Sequence, residues 1–142
     1  MLKNFFKKKE KEDTSNKNVL IIALLIHAAK IDENYTEDEK KIIKKTIMEL
    51  NKISSNQADE LLKLAEKKEE ESNQIVEFTK EIKKYSMEFK LKIIEIIWKI
   101  VYSDGTSDNY ESNLIRRICG LLYISDKDNG IIKTKVQNLF KN

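Results

Sequence analysis

SMEFKLKIIEIIWKIVYSDG, residues 86–105, decides the fold. Phe89, Leu91, Ile93, Ile94, Ile96, Ile97, Trp98, Ile100 and Val101 cover most of the circumference of a helix, and the period-two alternation of a half-buried strand is nowhere kept. A helix that is apolar all round must be enclosed by other elements. Ser86 stands where an N-cap belongs, so the segment reads as the central helix of an all-α domain.

The composition agrees with that reading. The chain has 142 residues, enough for one domain with a sizeable core, and is 40% hydrophobic and 36% charged with three Gly and no Pro. The punctuation that strands and tight turns need is therefore missing. Working outward, periodicity and start signals give six more helices. The first runs from about Lys17 to Ile31, with Leu20, Leu24, His27 and Ile31 on one stripe. Thr36 opens the second through a Thr36-x-x-Glu39 capping box, with Ile42, Ile43, Ile47 and Leu50 inward. Ser54 opens the third over Ala58, Leu61, Leu62 and Ala65, and a fourth around Asn73 to Lys84 buries Ile75, Val76, Phe78, Thr79 and Ile82. Asp108 caps the sixth, with Leu114, Ile115, Ile118, Cys119 and Leu122 inward. Ser125 caps the last, with Ile131, Ile132, Val136, Leu139 and Phe140 inward.

The two halves correspond. A displacement of 72 residues lays Asp32 on Asp104, Glu39 on Glu111, Ile43 on Ile115 and Leu50 on Leu122; one residue less lays Ser54 on Ser125. The expected fold is a seven-helix bundle with a quasi-two-fold repeat of helix, short acidic loop and capped helix. The first loop, in KIDENYTEDEKKII (30–43), holds Asp32, Glu33, Glu37, Asp38 and Glu39 with no basic residue among them. The capping chemistry of a helix start accounts for Glu39, Glu111 and Asp108. It does not account for Asp32 and Asp104, which precede the caps at matching distances.

These residues carry a resemblance. A short Lys/Phe N-terminus, then ALLIHAAKIDENYTEDEKKII (23–43), then residues 70–125 with their LIRRI run, resemble the TerB-like family of tellurite-resistance-associated helical domains. Family loops tend to read Asp-Gly-x-x-Asp-x-x-Glu. The second loop fits through Asp104, Gly105, Asp108 and Glu111, whereas the first has Glu33 and Thr36 in place of Gly and Asp. The resemblance implies an acidic surface that binds a divalent metal, with Asp32, Glu39, Asp104, Asp108 and Glu111 as candidate ligands. An oxygen-only donor set suits a hard cation, Ca²⁺ or Mg²⁺. The alternative is a metal-independent domain that docks a basic segment of a partner protein on the same loops. Either is a stress-response module acting through partners.

Other chemistry is not expected. Counting from Asp104, the sixth and twelfth positions are Asn109 and Ile115, which is not an EF-hand. One His and one Cys do not make a zinc site, and Cys119, spaced to face the core, reads as a buried thiol. No Gly-rich phosphate loop or nucleophile–base pair is visible, so the chain is read as no enzyme. KKEEE (67–71) reads as a solvated helix end.

The net charge of +3 belongs wholly to residues 1–12, with five Lys against two Glu, and the rest is neutral. No basic face for nucleic acid follows. Residues 1–16 are expected to be a disordered basic tail before a domain over 17–142. Phe5 and Phe6 among the lysines give at most a weak membrane-surface contact through residues 1–12. The apolar run VLIIALLI (19–26) is too short to span a bilayer, and the expected location is cytoplasmic.

Overall fold

The computed structural model describes residues 18–32, 35–72, 74–103 and 109–140, apart from the side chains at 32 and 109–111. The tail over 1–16, Asp104 and Asp108 lie outside the described residues, as do the side chains of Asp32 and Glu111. Among the described residues are seven α-helices and no strand. They are α1 (residues 18–29, continuing into a 3-10 turn at Lys30–Asp32), α2 (Glu37–Asn51), α3 (Ser55–Glu71), α4 (Val76–Ile82), α5 (Met87–Tyr102), α6 (Asn109–Leu121) and α7 (Asp126–Leu139). The all-α bundle expected from the sequence is the fold observed. No helix among the described residues is long and apolar enough to cross a membrane.

Four helix starts are built by the side chains that the sequence marks. Thr36 and Ser54 form reciprocal capping boxes with Glu39 and Gln57, and Ser86 and Ser125 accept from the N–H groups of Phe89 and Asp128. Each cap satisfies a backbone donor that the helix itself cannot, worth about 1 kcal/mol. Two of the described helix ends are made without glycine. Lys52 (φ 52°) closes α2 and Tyr123 (φ 61°) follows α6, both in the left-handed conformation.

Helix α5 is enclosed as expected, with Ile93, Ile94, Ile97, Trp98 and Ile100 at most 1% exposed. It packs against α7, α2 and α6. Full burial of each such side chain contributes roughly 1.5–3 kcal/mol, so this helix anchors the core. Helix α1 is enclosed to a similar degree, which the single stripe assigned to it does not anticipate. Every residue from Ile21 to Ile26 is buried, with Ala28 and Ala29, whereas Leu20, His27 and Ile31 are only partly covered. The run VLIIALLI is apolar on every side, so no one stripe can define its buried face.

Two other expectations are corrected. Val76 is 50% exposed, because α4 has only two turns and its stripe is Ile75, Phe78, Thr79 and Ile82, spaced i, i+3, i+4, i+7. On α7 only Val136 is fully buried and Ile132 partly, while Ile131, Leu139 and Phe140 are exposed. The register of α7 on α5 is set by polar contacts instead. The Trp98 indole N–H donates to Asn129 Oδ1 at 2.9 Å, and Lys133 Nζ lies 5.3 Å from the centre of the Trp98 ring. Phe140 borders a groove of about 410 Å³ between α2 and α5.

Candidate functional site

The first acidic loop joins α1 to α2, and its described end is a helix cap. Thr36 N–H donates to Glu39 Oε1 at 3.0 Å, the Thr36 hydroxyl donates to the same oxygen at 2.9 Å, and Glu39 N–H returns a bond to Thr36 Oγ1 at 3.1 Å. Glu39 is 5% exposed, so this carboxylate is folded into the structure. Glu37 and Asp38, beside it in the first turn, are exposed. Tyr35 precedes the cap with its ring between two ammonium groups, 5.9 Å from Lys30 Nζ and 4.8 Å from Lys40 Nζ. Burial, and then the Glu66 carboxylate nearby, push its phenol well above the ordinary tyrosine range.

Of the five candidate ligands, only Glu39 has a described side chain. Asp32 ends the 3-10 turn Lys30–Asp32, and that turn packs against α6, whose first turn contains Glu111. Among the described residues no group of three or more His, Cys, Asp or Glu is gathered for a metal.

With the helices and these loops in place, comparison with known families gives a match. Residues 18–134 fit the family model of tellurite resistance protein TerB, from the first described helix nearly to the end of the last. The chain belongs to the TerB family. No curated protein and no solved structure matches it. Membership agrees with the resemblance carried by residues 23–43 and 70–125, and places the chain in a tellurite-resistance-associated family.

This TerB chain also holds a polar cluster that the sequence reading missed. Glu69, near the C-terminal end of α3, is only 10% exposed at its side chain. It contacts His27 Nδ1 at 3.2 Å through Oε1 and accepts from Lys30 Nζ at 2.8 Å through Oε2. The KKEEE segment is therefore not uniformly solvated, because Glu69 ties α3 to the end of α1. His27, from the stripe assigned to α1, is partly buried, with its ring centre 6.4 Å from that of Phe78. Nothing in the spacing of the three glutamates marks the middle position of KKEEE, since the partners are 39 and 42 residues away. Cys119 is buried among apolar residues, and burial, followed by the charge of Asp126, pushes its thiol up to about 12. That is a core thiol, far from the depressed pKa of a nucleophile.

Proposed function

We propose that this TerB-family chain is a non-enzymatic helical module that binds a divalent cation, Ca²⁺ or Mg²⁺, on its two acidic loops. It would act through protein partners in a cytoplasmic stress response. The observation that carries the reading is the packing of α6 against the Lys30–Asp32 turn, because it draws the elements bearing Asp32 and Glu111 together. The left-handed residues Lys52 and Tyr123 stand 71 apart at matching helix ends. That spacing supports the quasi-two-fold repeat and with it a convergence of the loops.

The donor set fits a hard cation. Asp32, Asp104, Asp108 and Glu111 offer only carboxylate oxygen, and waters complete the shell of such ions readily. Glu39 gives Oε1 to the α2 cap, so its share in the site is the smaller one. The cation would supply charge neutralisation to carboxylates brought together at helix ends, and would leave the loops in one arrangement that a partner recognises. The alternative, docking of a basic partner segment without metal, is favoured by one observation: Glu37 and Asp38 stand exposed at the start of α2, beside a carboxylate already held by its cap.

Thermal unfolding separates the two. A ligand of the native state raises the midpoint, by about 2.7 kcal/mol of stability at a hundredfold excess over Kd. Excess Ca²⁺ or Mg²⁺ should raise it for the wild type relative to EDTA, less for Asp32→Asn, and not at all for Asp104→Asn with Glu111→Gln. If neither ion shifts the wild type, and the double substitution stabilises the metal-free protein by relieving repulsion, the loops are caps or a docking surface.

A further inference from the structure

Helix α5, enclosed over most of its length, turns one stripe to a groove. On its side the groove is lined by Lys92, Glu95, Ile96 and Lys99. On the α2 side it is lined by Ile42, Lys45, Thr46 and Glu49. Both sets are spaced i, i+3, i+4, i+7, so each is one helix face two turns long, about 10 Å. The space between them is about 410 Å³, with Leu50 and the exposed ring of Phe140 beside it. Ligand sites run from roughly 300 to 1,000 Å³. An opening edged by two helix faces of equal length suits a third helix, whose apolar side chains recur at the same period.

The charge around the groove is one-sided. Glu95 is taken up by Lys135 of α7, whose Nζ lies 2.9 Å from its Oε1, with Lys99 3.9 Å from the same oxygen. Among the described residues no carboxylate lies within ion-pair distance of Lys45 or Lys92. Lys45, Lys92 and Lys99 therefore stand against one open carboxylate of the lining, that of Glu49. A matching occupant is apolar on one side and acidic beside it.

This chain has no such segment among its described helices. Leu64, Val76, Met87, Ile131 and Leu139 are large apolar side chains exposed on them. Each has a lysine three or four residues away on the same helix, and at none do carboxylates at those spacings outnumber lysines. Residues 1–12, with five Lys against two Glu, carry the wrong charge as well. A second copy and the N-terminal segment would both meet repulsion at the groove, so the occupant belongs to a different protein.

We propose that the α2–α5 groove docks an acidic amphipathic helix of a partner protein. Its apolar residues, spaced i, i+3 or i+4, and i+7, lie against Ile42, Leu50, Ile96 and Phe140, and its Asp or Glu residues face Lys45, Lys92 and Lys99. Burial of the apolar side supplies affinity, and opposite charge selects the partner and speeds encounter. The groove shares no residue with the acidic loops, so docking here stands whether or not those loops bind a cation.

Random peptides of about 16 residues, long enough for four helical turns, can be displayed and selected on the immobilised full chain. The enriched sequences are then titrated by fluorescence anisotropy and amide NMR. They should show the i, i+3/i+4, i+7 apolar spacing with an excess of Asp and Glu, and shift amides along residues 42–50 and 92–99 and at Phe140. Affinity should fall about tenfold or more in Lys45→Glu with Lys92→Glu, both at exposed positions, and several-fold in Phe140→Ala. Selection that yields no such peptides, or peptides that the folded variants bind equally well, overturns the proposal. So does occupation from within. A concentration-dependent dimer that Phe140→Asp dissolves gives the groove to a second copy, and shifts at the same amides on deleting residues 1–12 give it to the N-terminal segment.

Discussion

Replacing Glu39 separates a helix cap from a metal ligand, because alanine and glutamine remove different things. Alanine removes the acceptor for both Thr36 donors, which lie 3.0 and 2.9 Å from Oε1, and breaks the reciprocal box. The cap contributes about 1 kcal/mol, and the lost carboxylate acceptor and buried methylene add about as much again, for a total of roughly 2–3 kcal/mol. Glutamine retains an oxygen at the same place, since a capping box accepts Gln as readily as Glu; Ser54 and Gln57 form one in this chain. What glutamine loses is the interaction of a charge with the helix dipole, about 0.3–1 kcal/mol. At this chain length 1 kcal/mol moves the midpoint by about 3–5 °C.

Thermal unfolding followed at 222 nm in EDTA should therefore place Glu39→Ala about 6–15 °C below the wild type and Glu39→Gln within about 5 °C of it. With Ca²⁺ or Mg²⁺ in excess, Glu39→Gln should keep most of whatever stabilisation the wild type shows. Equal losses for the two variants in EDTA would refute the cap as the reason Glu39 is buried. Complete loss of the metal response in Glu39→Gln would make this residue a principal ligand, and the first loop a full half of the site.

Two further outcomes test the core. Asn129→Ala leaves the Trp98 indole N–H, buried and bonded at 2.9 Å in the native protein, without its acceptor. That should cost about 1–3 kcal/mol in urea unfolding read from Trp98 fluorescence, and a loss below about 0.5 kcal/mol would show that the bond does not fix α7 on α5. The Cys119 thiol, raised to about 12 by burial, stays protonated in the folded chain while the unfolded chain ionises near 9. Stability from this group is thus complete below pH 9 and falls as pH rises from 9 towards 12. At pH 8 a disulfide reagent should modify Cys119 only as fast as the protein opens, and rapid native labelling would contradict its burial.

The fold was legible in the sequence because its signals are local. Capping side chains at Thr36, Ser54, Ser86 and Ser125, and apolar periodicity between them, place the helices to within a few residues. Burial was legible only where a stripe is one-sided. On α1, apolar on all faces, periodicity has nothing to select; on α7, Ile131, Leu139 and Phe140 looked inward although the contact with α5 runs through Asn129, Lys133 and Val136. A polar residue that sets register is invisible to a hydrophobic pattern.

The acidic loops show a deeper ambiguity. A helix start and a cation site ask for the same residue types, since both place carboxylate oxygen opposite positive charge: the backbone N–H groups in one case, the ion in the other. Glu39 shows the first use directly, bonded at Oε1 by the residue that precedes its helix. Asp32 is not explained the same way, because it ends a 3-10 turn and does not open a helix. The long-range groupings follow another rule. Glu69 gathers partners 39 and 42 residues away, and the Trp98 indole finds its acceptor on Asn129, 31 residues on. Such clusters are set by which helices the core brings side by side, so they exist only once the bundle is assembled, and no spacing along the chain encodes them.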